Sequence, residues 1–293
     1  MTYLALAILC SVAVSVLLKL ARGKQIQIEQ SIAMNYVVAS ALTWFLLSPK
    51  LDSLKTDETS MALFTALGIL LPVVFIFMSN AVRYAGIVKS DAAQRLALFI
   101  PILASFTIFG EVLTPTRAVG LALAFAALLC LVFKSNAGRG ASAQGTTTQV
   151  VTSLFAVWLG YGVIDVLFKQ VAKTGSATST NLFAAFVLSG VIIFAYLLIK
   201  RTRWTARSLL AGVILGALNF GNIWFYIRAH QVYSTNPTLV FAGMNIGVIT
   251  LGTLVGTYAF REKISRINAL GVVLAIAAIV WLFYGVQILN LAS

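Results

Sequence analysis

Asn219, Asn222 and Tyr226 stand at i, i+3 and i+7 in an otherwise apolar stretch, a spacing that puts all three on one face of a helix. Asp165 and Lys169 form an i, i+4 pair in a second apolar stretch, and Asp91 and Arg95 form another. Asn80 and Asn245 are amides set within apolar runs. Such groups are costly against lipid, so they face a cavity or a polar partner. The chemistry they offer is recognition: Asn80, Arg95, Asn219, Asn222, Tyr226 and Asn245 could bind a small polar molecule. The competing role is hydrogen bonding between helices, worth about 0.6 to 2 kcal/mol each in a membrane. Asp165 with Lys169 reads as an ion pair near the interface, with a proton-coupling role for Asp165 as the sharper alternative. Lys19 and Lys169 could meet an anionic substrate, but snorkelling toward lipid headgroups is the preferred reading.

These residues do not assemble into a catalytic site. An intramembrane enzyme needs a nucleophile with its base, paired aspartates or metal ligands. His230 is the sole histidine and stands beside an expected helix end, and no second Asp accompanies Asp165. Cys10 and Cys130 lie inside apolar runs, where thiols behave as small hydrophobes. No metal and no cofactor is expected. The net charge of +13 invites a nucleic-acid reading. However, the Lys and Arg residues sit at the ends of apolar runs, as at membrane interfaces. No polar segment is long enough for a basic domain, so nucleic acid is excluded as a partner.

The elements that must position these groups are membrane helices. Of 293 residues, 60% are hydrophobic and 10% charged, against about 25% charged in soluble domains. A spanning helix needs about 20 mostly apolar residues. Ten uncharged runs approach that length: Met1 to Leu18, Gln30 to Ser48, Met61 to Val82, Leu96 to Gly110, Ala118 to Phe133, Gln149 to Ile164, Thr174 to Ile199, Ser208 to Ile227, Gln231 to Phe260 and Ile267 to Ser293. The fourth reaches spanning length only by extending back through Asp91 and Arg95. The runs are continuous and do not alternate, which means helices and not barrel strands. Pro72, Pro101 and Pro237 are places where a helix kinks or starts.

The chain is also an internal duplication. At a shift of 151, Glu111 meets Glu262, Gly120 meets Gly271 and Ala124 meets Ala275; at 150, Lys19 meets Lys169; at 148, Gly68 meets Gly216. Apolar composition alone would not align the rarer Glu, Lys and Gly. Residues 1–134 and 149–293 are therefore read as two repeats joined by a linker at 135–148, rich in Gly, Ala, Ser and Thr. Five spans per repeat would make the second enter the membrane from the opposite side. The expectation is an all-α integral membrane protein of ten transmembrane helices in two inverted five-helix repeats. Small faces, Gly120-Ala124-Ala127 and Gly271-Ala275-Ala278, and the stretch with Gly243 and Gly247 are expected to pack helices closely.

Gly110-Glu111 with Gly120, and Glu262 with Gly271, resemble the Gly-Glu before the last helix of each half in the EamA-like, ten-helix branch of the drug/metabolite transporter superfamily. Arg261 departs from that pattern. Lys19 and Lys169 match a basic residue late in each half's first helix. The resemblance covers the whole chain and implies a basket of helices around a central cavity. It implies a secondary transporter moving a small organic metabolite by alternating access, in the plasma (inner) membrane. A flippase for a lipid or lipid-linked substrate is the alternative, ahead of an intramembrane enzyme. The expected partners are a small-molecule substrate and the bilayer.

Overall fold

The computed structural model describes residues 1–22, 26–50, 58–132, 146–260 and 265–292. Among them the regular structure is helical: α1 (Thr2–Arg22), α2 (Ile28–Leu47), α3 (Glu58–Ala85), α4 (Ile87–Leu96), α5 (Phe99–Thr107), α6 (Pro115–Val132), α7 (Thr147–Lys173), α8 (Thr178–Ile199), α9 (Ala206–Val232), α10 (Pro237–Phe260) and α11 (Arg266–Ala292), with a 3-10 turn at Gly175–Ala177. The expected linker falls at 135–145 outside the described residues, and Thr147 already opens α7. Glu262 also lies outside them.

The expectation of ten spanning helices is corrected. Seven helices among the described residues are long and apolar enough to cross a membrane: α2, α3, α7, α8, α9, α10 and α11. The apolar parts of α1 and α6, Thr2–Leu18 and Pro115–Leu131, are shorter. The fourth run is not one helix. It divides into α4 and α5 at Ala97 and Leu98, and the cause is Pro101. Pro101 has no N–H to give to the Ala97 carbonyl, and its ring crowds that carbonyl. The chain responds with tighter bonds, Leu98 N to Arg95 O at 3.2 Å and Ile100 N to Ala97 O at 3.0 Å. The inverted arrangement was inferred from five spans per half and falls with that count. Pro72, by contrast, sits inside an unbroken α3, and Pro237 opens α10.

Large apolar side chains on these helices face outward, among them Phe45, Leu210 and Tyr258, the last 83% exposed. A water-facing surface would not carry so many, whereas hydrocarbon accepts them. The chain is a multi-pass membrane protein.

Two compact units build the fold, and each draws on both ends of the sequence. The first comprises Met1–Ile76 and Ile164–Val232. Here α9 packs on α1 and α2, and α2 packs on α8. A side chain at Gly216 would come within 2.6 Å of Val38 Cβ, and one at Gly68 within 2.6 Å of Leu188 Cδ2. These two contacts are repeat equivalents, since Gly68 aligns with Gly216 and Val38 with Leu188. A second pair matches in the same way: Ser31 Oγ donates to Ser208 O at 2.8 Å, and Asn181 Nδ2 donates to Ser60 Oγ at 3.2 Å. The duplicated sequence thus makes reciprocal packing, helix by helix.

The second unit comprises Phe77–Val163 and Tyr233–Ser293. Its main seam joins α6 to α11. A Cβ at Gly120 would meet Leu282 Cδ2 at 2.5 Å, and one at Gly271 would meet Leu131 Cγ at 2.7 Å. Again the contact is reciprocal, because Leu131 aligns with Leu282. Ala124, Ala127, Ala275 and Ala278 are fully buried. Glu111 caps α10 in this unit. Its buried Oε2 accepts from the Thr238 N–H at 3.0 Å and from Thr238 Oγ1 at 2.6 Å. Arg117 Nε stands 3.5 Å from Glu111 Oε1, and Arg117 Nη2 donates to Asn236 Oδ1. A carboxylate at a helix N-terminus satisfies orphan amides and suits the dipole.

Candidate functional site

Asn219, Asn222, Tyr226 and His230 run along one face of α9, at i, i+3, i+7 and i+11. The helix supports this row by close packing earlier in its length, where Gly212 and Gly216 let α2 approach. Tyr226 and His230 are buried, and Asn219 and Asn222 are half-buried. The end of α7 packs against the end of the row. Tyr226 Oη donates to Asp165 Oδ1 at 3.2 Å, and Phe168 meets the Tyr226 ring edge-on, with centroids 6.3 Å apart. The Tyr226 and His230 rings also meet edge-on, with centroids 4.7 Å apart.

Lys169 lies one turn after Asp165 and does not snorkel. It is 2% exposed, and its ammonium donates to the His230 carbonyl at 3.3 Å. That carbonyl belongs to the last turn of α9, where C=O groups lack helical partners and a cation is favourable. The same helix end is tied by Gln231 Nε2 to Thr178 Oγ1 at 3.4 Å, and Thr178 Oγ1 donates to Val171 O at 3.1 Å.

One group in the row is left over. The Asn222 side-chain oxygen is buried and has no hydrogen-bond partner among the described residues. An acceptor left that way costs about 1 to 3 kcal/mol. On the facing helix α1, Cys10 Sγ is 3.2 Å from where a side chain at Gly221 would begin.

The structure therefore brings Tyr226, Asp165 and Lys169 together and sets Asn219 and Asn222 along the same helix face. Asn80, Arg95 and Asn245 belong to the other compact unit. Asn80 is half-buried on α3. Arg95 Nε pairs with Asp91 Oδ2 at 2.8 Å, within α4. Asn245 Nδ2 donates to Phe241 O at 3.1 Å, on its own helix. Gly243 and Gly247 are buried on α10, but a side chain at Gly252 would meet nothing within 4 Å, so that glycine does not mark a tight crossing. Sequence reasoning named His230 as the sole histidine but did not place it in this row. The signal was present: position 230 continues the 219, 222, 226 spacing by one more turn.

A membrane-embedded, all-helical chain with a buried polar row is the class of protein this geometry defines. It is 53% identical over 283 residues to an uncharacterized protein of Haemophilus influenzae (strain ATCC 51907 / DSM 11121 / KW20 / Rd), over 95% of this chain and 96% of that one, and it belongs to the same family. No family model matches the chain. A protein of known crystal structure shares the fold at TM-score 0.62 over 96% of each chain, with 16% sequence identity.

Proposed function

We propose that the protein is a secondary transporter of the EamA-like drug/metabolite type, which moves a small organic metabolite across the plasma (inner) membrane by alternating access. The observation that carries this reading is the buried, unpartnered Asn222 oxygen, set in line with Asn219 and Tyr226. Asn35 and Asn181 also leave a buried side-chain oxygen without a hydrogen-bond partner among the described residues, and Asn222 differs from them in standing in line with Asn219 and Tyr226. An acceptor without a partner is suited to a ligand, and polar groups at membrane depth mark substrate pathways. The residue types of the row suit binding and release of a cargo better than bond cleavage, so we read the protein as a carrier and not an enzyme.

The test is uptake into lipid vesicles, normalised to folded protein, with a panel of amino acids, nucleobases, amines and lipids. A panel member should be taken up by the native protein, and Asn222→Ala should cut that uptake about tenfold or more with a nearly unchanged melting curve. Uptake preserved in both Asn219→Ala and Asn222→Ala would refute the site. The same assay ranks Asn80, Arg95 and Asn245. Transport of lipids alone would turn the reading to a flippase.

A further inference from the structure

We propose that the corner between α8 and α9 is a binding site for an anionic phospholipid, whose headgroup phosphate is held by Arg201, Arg203 and Arg207. The proposal is independent of the transporter reading. It concerns the end of α9 opposite to His230.

The corner is well fixed, and three of its cations are unopposed. Helix α8 ends at Ile199, and the chain turns through residues 200–205 before α9 begins at Ala206. Gln30, fully buried on α2, clamps that turn. Its Nε2 donates to Arg203 O at 2.6 Å, and its Oε1 accepts from the Thr205 N–H at 3.0 Å. The Arg201 N–H donates to Leu198 O at 3.0 Å and the Thr202 N–H to Leu197 O at 3.1 Å. On this frame Arg201, Arg203 and Arg207 are exposed, and their guanidinium groups meet no acceptor among the described residues. Lys200 differs, because Glu29 already pairs with it. Arg201 also carries a backbone cost. Its φ of 51° lies in the left-handed region, where a helix end ordinarily has glycine. Folding alone would favour glycine at that position.

The surface beside these charges is apolar. Leu198 and Ile199 are exposed at the end of α8. On α9, Arg207, Leu210 and Ile214 stand at i, i+3 and i+7, all exposed. That stripe starts at a guanidinium and continues in side chains that suit hydrocarbon. Trp204 is exposed and stacks on Phe194, with centroids 5.5 Å apart. Indole rings of this kind mark the headgroup level of a bilayer. A soluble anion would need only the arginines. A phospholipid uses both parts, its phosphate on the guanidinium forks and its chains along Leu210 and Ile214. Three unopposed charges select a lipid with net negative charge over a zwitterion, whose own ammonium offsets its phosphate.

The test is lipid retention by the full-length protein, purified in detergent and examined by native mass spectrometry. With phosphatidylglycerol and phosphatidylcholine added in equal amounts, phosphatidylglycerol should be retained about tenfold better or more. Raising salt from about 0.05 to about 0.5 M should weaken that preference. Water-soluble glycerol phosphate should not compete, because it has no chains to lie on the α9 stripe. These measurements need no variant. Replacing all three arginines, by Arg201→Gln, Arg203→Gln and Arg207→Gln together, should remove the preference. Arg228→Gln, exposed near the other end of α9, should preserve it. Arg201→Gly alone should raise the melting temperature and lower phosphatidylglycerol retention, a pairing that a residue kept for folding would not give. Equal retention of the two lipids, or a preference that survives the triple substitution, overturns the proposal. Full competition by glycerol phosphate would make this a site for a soluble phosphate and overturns the lipid assignment. Uptake is not measured, so the transporter reading stands or falls separately.

Discussion

Helices α3 and α9 align in sequence at a shift of 148, and they share one property and differ in another. Both carry the glycine at which a neighbour crosses closely, Gly68 against Leu188 and Gly216 against Val38. Beyond that glycine they part. Where α9 has Asn219, Asn222, Tyr226 and His230, α3 has Leu71, Val74, Met78 and Val82. Leu71 and Val74 are buried as ordinary apolar packing. The close crossing is common to both helices, and of the two only α9 carries the polar row.

The strongest way to break this comparison is to attack what the copies share. Gly68→Leu and Gly216→Leu should both sharply reduce the yield of folded protein, because in each a Cβ would arrive within 2.6 Å of a neighbour's side chain. Two melting curves like that of the native protein would show that the shared crossing is not structural. Next in size is Lys169→Met. It leaves the His230 carbonyl buried without its donor and should lower stability by about 1 to 3 kcal/mol in a denaturation measurement.

Smaller in stability but larger in function are changes to the row itself. Tyr226→Phe removes the bond to Asp165 and should cost at most about 1 to 2 kcal/mol, while lowering uptake about tenfold. Met78→Leu, the matching position on α3, should leave both uptake and melting unchanged. Equal losses from the two would erase the functional difference between the copies.

The smallest effect is at the surface. Lys200 pairs with Glu29 at 2.8 Å, and the hydrogen bond that its ammonium donates to the Glu29 carboxylate holds the Lys200 ammonium above its usual range. The contribution is therefore complete below the unfolded lysine value of about 10.4 and is lost as pH rises through the higher folded value. Being exposed, the pair is worth under about 1 kcal/mol. Lys200→Met should shift the melting temperature only slightly at pH 7 and not at all above the folded value.

The helical, membrane-embedded character of the chain was legible because its apolar runs are long and continuous. The repeat-like packing was legible because Gly68 recurs as Gly216 and Gly120 as Gly271, each at a close helix crossing. The number of spans was not. Pro72, Pro101 and Pro237 look alike in sequence, yet one is absorbed in a helix, one breaks a helix and one begins a helix. Which of these happens depends on whether neighbours re-satisfy the freed carbonyl, and that is a tertiary matter. The α9 row was legible as far as Tyr226, since 3.6-residue spacing is a local property. The burial of Lys169 was not, because an ammonium at the end of one helix finds its carbonyl on another that lies 61 positions away.

The make-up of the first compact unit bears on how the protein is made. Residues Met1–Ile76 belong with Ile164–Val232, so the N-terminal helices leave the ribosome long before their packing partners exist. At about 5 to 20 residues per second, α2 must wait on the order of ten seconds or more for α8 and α9. During that interval Gln30 and Ser31, which are buried in the finished protein, lack their partners Arg203, Thr205 and Ser208, and Asn35 lacks the α9 crossing at Gly216. The early helices must be held at the site of insertion, by the insertion machinery or by headgroups, until the second half of the chain arrives to enclose them.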